Sequence, residues 1–231
     1  MLNRLIAALA LILLALAPNL VAAKDKPAPV PAEPAKVYSQ VDFDLSHDPD
    51  NILFLDLSNG RRVAIRLMPD WAPNHVARIK ELTRMGFYNG VIFHRVIDGF
   101  MAQTGDPSGT GRGGSTLPDL HEEFNPMPHV RGTVSMARSD DPNSANSQFF
   151  IVFYPRFSLD RRYTNFGRVI AGMDAVDAIQ RGEPPANPTR ILQASIASDN
   201  KPQALPAPAA LPTDEITADA LSAPQSQSQP Q

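Results

Sequence analysis

Between Val91 and Asp106 the chain reads VIFHRVIDGFMAQTGD, which brings an arginine, a phenylalanine, a methionine and a glutamine close together. Val91, Phe93 and Arg95 alternate with Ile92, His94 and Val96, so a strand here turns Arg95 to a face shared with apolar side chains. Asp98-Gly99 makes a turn, and a second short strand carries Phe100, Met101 and Gln103. An arginine on such a face is costly unless something uses its donors. The chemistry within its reach is hydrogen-bond donation from a permanently charged, planar group to a ligand resting on aromatic and thioether side chains. Other chemistries lack their parts. The sequence has no cysteine, which removes disulfides, thiolate catalysis and Cys-based zinc sites. No G-x-S-x-G elbow is present, so a serine hydrolase has no support. His121-Glu122-Glu123 has no second histidine four residues on, and GTGRGG at Gly109–Gly114 is followed by Ser115-Thr116-Leu117-Pro118 where a dinucleotide-binding helix would have to open.

The elements that must position these residues read as mostly β. Ile52–Leu57 is an apolar strand. Asn59-Gly60 predicts a type I′ hairpin turn, and Val63, Ile65 and Leu67 alternate with Arg62, Ala64 and Arg66 on the return strand. After Pro69, Val76, Ile79 and Leu82 repeat at helical spacing until Gly86, with Trp71 packing under that helix. Further strands are expected at Val91–Val96, Phe100–Thr104, Thr133–Ala137, Gln148–Phe153, Asn165–Ile170 and Ile191–Ile196. A second helix is marked by Met173, Val176 and Ile179. The polar stretch from Arg138 to Asn146 suits an exposed loop.

The ends differ in composition. Residues 1–23 read as a signal peptide, with Arg4, an apolar run from Leu5 to Ala17 that is short for a bilayer, and small residues at Val21-Ala22-Ala23. An uncleaved anchor is the alternative. Residues 24–50 form a Pro/Ala-rich linker and an N-terminal arm; Tyr38–Asp50 is read as either a short strand or a loose arm. The domain is placed at 51–198, and 199–231 is expected to be a disordered Pro/Ala/Ser/Gln tail. A formal net charge of −3 over 231 residues argues against a broad nucleic-acid surface.

The stretch around Arg95 resembles the signature of the cyclophilins, peptidyl-prolyl cis-trans isomerases that bind cyclosporin. Phe93, His94, Arg95, Gly99, Phe100, Met101, Gln103, Gly105 and Asp106 fit the family's F-H-R … G-F-M-x-Q-x-G-D pattern. Ser147–Ile151 matches its S-Q-F-F-I block. Ser135-Met136-Ala137 and Phe166-Gly167-Arg168-Val169 resemble two more blocks. The likeness runs from about Asn51 to Ile196, and the chain resembles the bacterial periplasmic members. It implies a closed eight-stranded antiparallel β-barrel capped by two helices, and isomerisation of Xaa-Pro bonds without cofactor or metal. It implies Arg95, Gln103 and Phe100 as catalytic residues, and Met101, Ala137, Arg138, Gln148, Phe150, Leu159 and Tyr163 as substrate-binding ones.

Three positions depart from the family pattern. The drug-contacting tryptophan falls on Ser158, with Phe157 adjacent; the pocket histidine falls on Tyr163; a groove asparagine falls on Arg138. Weak cyclosporin binding is therefore expected. The expected partners are proline-containing polypeptides, with no nucleic acid and no stable membrane association once the signal is cleaved. The expected state is a monomer in the periplasm, with secretion or signal anchoring as alternatives. A competing function is a non-catalytic proline-peptide-binding or chaperone module using the same groove.

Overall fold

The computed structural model describes residues 36–208. The expected signal peptide, most of the linker and the tail from 209 onward lie outside the described residues. Eight strands, β1 (Ile52–Leu57), β2 (Arg62–Leu67), β3 (Arg95–Ile97), β4 (Met101–Thr104), β5 (Thr133–Met136), β6 (Phe149–Val152), β7 (Asn165–Ala171) and β8 (Ile191–Ile196), form one sheet in the order β3-β4-β6-β5-β7-β2-β1-β8. Every ladder is antiparallel. Two helices accompany it, α1 (Pro73–Arg84) and the single turn and a half of α2 (Met173–Asp177).

The sheet's edges, β3 and β8, share no ladder. They are linked by irregular chain: Gly90 N–H donates to Ile191 O at 2.7 Å, Ile191 N–H to Val91 O at 2.9 Å, and Phe93 N–H to Thr189 O at 2.9 Å. The architecture is thus a curled eight-stranded antiparallel sheet, where a barrel closed strand to strand was expected. The cause is local. Gly90 sits at φ +82° and regular pairing of β3 starts only at Arg95.

The hairpin between β1 and β2 also differs from expectation. Gly60 takes φ +81° but Asn59 does not go positive, so a type I′ turn is ruled out. Gly60 N–H bonds Leu57 O and Leu57 N–H bonds Arg61 O, both at 2.9 Å, which makes a three-residue loop with glycine in the left-handed position. Asn59 is occupied elsewhere, its Oδ1 accepting from Arg61 N–H and its Nδ2 donating to Ala175 O.

Helix α1 starts on Pro73, whose missing N–H costs nothing at a first turn. No neighbouring side chain caps it. Instead Glu123, far along the sequence, accepts from the N–H groups of Asn74 (3.1 Å) and His75 (3.0 Å). The helix ends as predicted at Gly86, φ +73°, with Phe87 N–H returning to Leu82 O and Gly86 N–H to Thr83 O. Val76, Ile79 and Leu82 are buried against Leu53, Leu55, Ile65 and Phe166 in the main core.

The N-terminal arm is neither a strand nor loose. It runs through turns and a short 3-10 segment at Pro49–Asn51 and wraps the buried Arg66. That guanidinium donates to the carbonyls of Asp42 (3.0 Å), Asp44 (2.6 Å), His47 (2.8 Å) and Asp48 (3.1 Å). Trp71, buried as expected, also reaches the arm, through Nε1–H to Ser39 O at 3.0 Å. The start of the tail is tied down as well: Gln193 Nε2 donates to Pro202 O and Ala204 N–H to Asp56 Oδ2, both at 2.8 Å.

Candidate active site

Strand β6 shows how the sheet makes two environments. Successive side chains point to opposite faces, so Phe149 and Ile151 enter the main core while Phe150 and Val152 join a smaller cluster with Met101. Ile97, Phe100, Ala137, Leu159 and Tyr163 pack on that second cluster. On β4 the same alternation sends Ala102 inward and Met101 to the second face. The register then aligns one row: Arg95 of β3 pairs with Gln103 of β4, which pairs with Phe150 of β6, which pairs with Ser135 of β5. Directly paired positions bring side chains within about 5 Å.

One expectation about this row is corrected. Alternation through Val91, Phe93 and Arg95 placed all three on one face. Phe93 and Val96 both lie in the main core, so the phase reverses between them. The chain before Arg95 makes only an isolated bridge, Ile92 to Arg190, and nothing holds it to a two-residue period. Nor is Arg95 buried; its side chain is 41% exposed, and it stands at the mouth of a cavity.

That cavity has a volume of about 240 Å³ and is lined by Arg95, Phe100, Met101, Gln103, Ala137, Arg138, Phe150, Leu159 and Tyr163. Every residue the sequence nominated is there except Gln148, which lines the groove next door. The floor is aromatic. Phe150 meets Tyr163 edge-on at 5.7 Å and stacks on His129 at 6.5 Å. Arg156 lies over Phe100 at 5.1 Å, and Arg138 over Tyr163 at 4.8 Å. Phe157 stays 63% exposed outside the cavity, while the short turn Phe157–Leu159 delivers Leu159 to it. The missing tryptophan is thus not replaced by its neighbour.

A chain of amides fixes the polar rim. Arg95 Nη1 donates to Gln103 Oε1 at 3.5 Å and Arg95 Nε to Glu183 Oε2 at 3.4 Å; both are long bonds that leave the guanidinium able to take another acceptor. Gln103 Nε2 donates to Gln148 Oε1 at 2.9 Å, and Gln148 Nε2 to Gly113 O at 2.8 Å and Gly111 O at 3.1 Å. The loop carrying those carbonyls is gathered around Asp106, whose buried carboxylate accepts from Ser108 Oγ and from the N–H groups of Ser108, Gly111 and Gly113. Burial alone would raise the Asp106 pKa; the Ser108 hydroxyl and the backbone donors outweigh it and hold the carboxyl down at about 2. The G-x-G-x-x-G match therefore serves as a wall of the groove next to the cavity.

Two supporting residues escaped the sequence. His129, buried under Phe150, donates from Nδ1 to Asp160 Oδ1 and is hydrogen-bonded through Nε2 to Ser135 Oγ, each at 2.8 Å. Burial pulls its pKa down against the pull of Asp160. It lies in an irregular stretch with no periodicity to mark it. Glu183, partner of Arg95, sits in a proline-rich connection that likewise gave no signal. His94 packs structurally as expected, buried beside the loop, and burial lowers its pKa.

With this geometry in place, the comparisons with known proteins are specific. Residues 54–196 match the family described as cyclophilin type peptidyl-prolyl cis-trans isomerase/CLD. A probable peptidyl-prolyl cis-trans isomerase of Brucella suis is 52% identical over 170 residues, covering 67% of this chain and 86% of that protein. Peptidyl-prolyl cis-trans isomerase-like 3 of Rattus norvegicus is 42% identical over 125 residues, covering 52% of this chain and 76% of the relative. Among solved structures, cyclophilin AquaCyp293 from Hirschia baltica superposes with a TM-score of 0.62 at 34% identity, covering 67% of this chain and 77% of its own. A cyclophilin-type isomerase of Cryptosporidium parvum, crystallised in the presence of the dipeptide Ala-Pro, gives 0.58 at 28% identity, covering 63% and 98%.

Proposed function

The chain belongs to the cyclophilin-type peptidyl-prolyl cis-trans isomerases, and from that premise we propose that Arg95 drives the rotation of an Xaa-Pro bond whose proline ring sits in the cavity floored by Phe150. The reaction breaks no covalent bond. The amide must twist until nitrogen loses conjugation with the carbonyl, against a barrier of about 18–20 kcal/mol that makes the free reaction take roughly tens to hundreds of seconds. In the twisted state the nitrogen turns pyramidal and gains a lone pair. A donor that meets this lone pair helps only there, and so raises the rate without tightening the ground state. Lowering the barrier by about 5 kcal/mol gives several thousandfold.

The observation that carries this reading is the single row Arg95–Gln103–Phe150 facing one cavity. Gln103 keeps one amide N–H for a substrate carbonyl while the other is spent on Gln148. Phe100, Met101, Leu159 and Tyr163 exclude water around the ring, which strengthens a charged donor's hold on the lone pair. Ala137, Arg138 and Gln148 border the path of the adjoining substrate backbone. The test is catalysed cis-to-trans conversion of a short proline peptide by wild type and Arg95→Ala. The variant is expected to bind the peptide and lose most of the rate; a variant rate equal to wild type refutes the assignment.

The apolar run after Arg4 supports export. In this reading the chain is cleaved near Ala23 and works as a periplasmic monomer on newly translocated proteins, whose proline steps are slow enough to limit folding. Cell fractionation and the mass of the mature chain test it; an intact N-terminus in the cytosolic fraction overturns it. Ser158 in place of an aromatic ring supports weak cyclosporin inhibition, and nanomolar inhibition in the same peptide assay contradicts it.

A further inference from the structure

Beside the proline cavity lies a larger groove of about 610 Å³. The two share Gln103, Ala137 and Arg138, so a polypeptide with its proline in the first lays neighbouring residues along the second. At ~3.3–3.6 Å per extended residue, the first residues flanking the proline fill it. Half of the groove's wall is polar, made of backbone at Gly111, Gly113 and Gly114 and of serine and amide side chains.

Its charged members are Arg112, Arg138 and Asp119, and they are not equally available. Asp119 Oδ1 accepts from Asn146 Nδ2 at 2.8 Å. Arg138 is committed to the carbonyls of Arg162, Ser139 and Asp140 and to the Tyr163 ring. Arg112 makes no side-chain hydrogen bond and no ion pair among the described residues. Its backbone is nevertheless fixed. Its N–H donates to Thr110 Oγ1 at 3.2 Å, and Gly111 and Gly113 on either side are held by Asp106. An open guanidinium is thus presented from an anchored loop, in a groove with two arginines and one already engaged carboxylate.

We propose that Arg112 makes this groove a subsite for an acidic side chain, so that the enzyme favours substrates carrying Asp or Glu within two residues of the proline. This rests on the proline being seated beside Arg95. Arginine suits the role because its planar fork meets a carboxylate with two parallel N–H bonds. The pair is solvent-exposed, so its effect is a specificity of roughly two- to fivefold, screened by salt.

The experiment compares kcat/KM for matched peptides with Glu, Ala or Lys one or two residues from the proline on either side. The Glu-to-Lys ratio is internal to each enzyme, so a general change in activity cancels. Wild type should favour Glu by about fivefold at one of these positions, mainly through KM, with the ratio shrinking in high salt. Arg112→Glu should invert the ratio, and Arg112→Lys should keep its direction. A ratio near one at every position in wild type, or an unchanged ratio in Arg112→Glu, overturns the subsite. Full activity of Arg95→Ala removes the proline seat and the subsite with it. A flat Glu-to-Lys ratio beside an Arg95-dependent rate removes the subsite alone.

Discussion

Arg66 and Arg95 both sit on strands among apolar neighbours, and the fold treats them in opposite ways. Arg66 is almost wholly buried, at 3% exposure, and its guanidinium is used up by four backbone carbonyls of the N-terminal arm. Arg95 is 41% exposed and holds its two partners at 3.4 and 3.5 Å. A buried charge must be fully paired, because an unpaired one costs several kcal/mol. A charge that is to meet a transient lone pair must keep donors in reserve. This contrast supports reading the saturated arginine as structural and the under-satisfied one as the reactive group of the proposed mechanism.

Exchanging the two deletions sharpens this contrast. Arg95→Ala should lower kcat/KM by roughly two to three orders of magnitude, the usual loss for a donor that acts in the transition state, while urea unfolding shows stability within about 0.5 kcal/mol of wild type, as for a half-exposed side chain. Arg95→Lys should rescue little, since a point charge lacks the fixed fork. Arg66→Ala should do the reverse. Leaving four carbonyls without their donor should cost about 3 kcal/mol of unfolding free energy and release the arm to protease, while kcat/KM of the folded fraction stays within about twofold. If Arg66→Ala abolishes activity at full stability, the division of labour drawn here is wrong.

The sequence could not tell these arginines apart. Cost-of-burial reasoning applied to Arg95 actually describes Arg66, because alternation reports a face and not a depth. The blocks around Arg95, Gln103 and Phe150 were legible through the family resemblance; of the register that lines them up, only the β3–β4 step follows from a short turn, while β4 and β6 pair across the long intervening segment 105–148. The strands β1 and β8 were readable to the residue, being short runs rich in apolar residues, interrupted only by Asp56 in the first and by Gln193 and Ser195 in the second. What was hidden is what lies outside periodic structure. The Glu123 cap on α1, the His129 support under Phe150 and the irregular linkage of the sheet edges all join residues far apart in sequence, through loops that carry no pattern.

Asp106 extends the contrast to the opposite charge. It is as saturated as Arg66, and its pKa in the folded protein, about 2, lies below the ordinary 3.8. A depressed carboxyl pKa stabilises the fold above the unfolded value and loses that contribution as pH falls through the folded one. Stability should therefore drop by about 2 kcal/mol between roughly pH 4 and pH 2 on account of this group. Asp106→Asn should lack that part of the acid dependence in denaturant titrations across the same range. An equal slope in wild type and variant would show that the carboxylate's partners do not hold it.

The smallest and most local test moves the loop without touching any charge. A β-carbon at Gly113 would stand 2.1 Å from Asp106 Oδ1 and 2.8 Å from Ser108 Oγ, and because that carboxylate is buried and bonded to the loop's own N–H groups, carboxylate and loop must move apart. Gly113→Ala must shift the loop, and with it the carbonyl that accepts from Gln148 at 2.8 Å. Gln148 then no longer holds Gln103, and Gln103 no longer steadies Arg95. Loss of about one such hydrogen bond's worth of alignment predicts a roughly tenfold fall in kcat with KM little changed. Gly99, where a β-carbon meets nothing within 4 Å although φ is +65°, is the control: Gly99→Ala should strain only its own turn. If Gly113→Ala keeps wild-type kcat, the reactive arginine needs no support from the saturated carboxylate, and the two kinds of charge are independent.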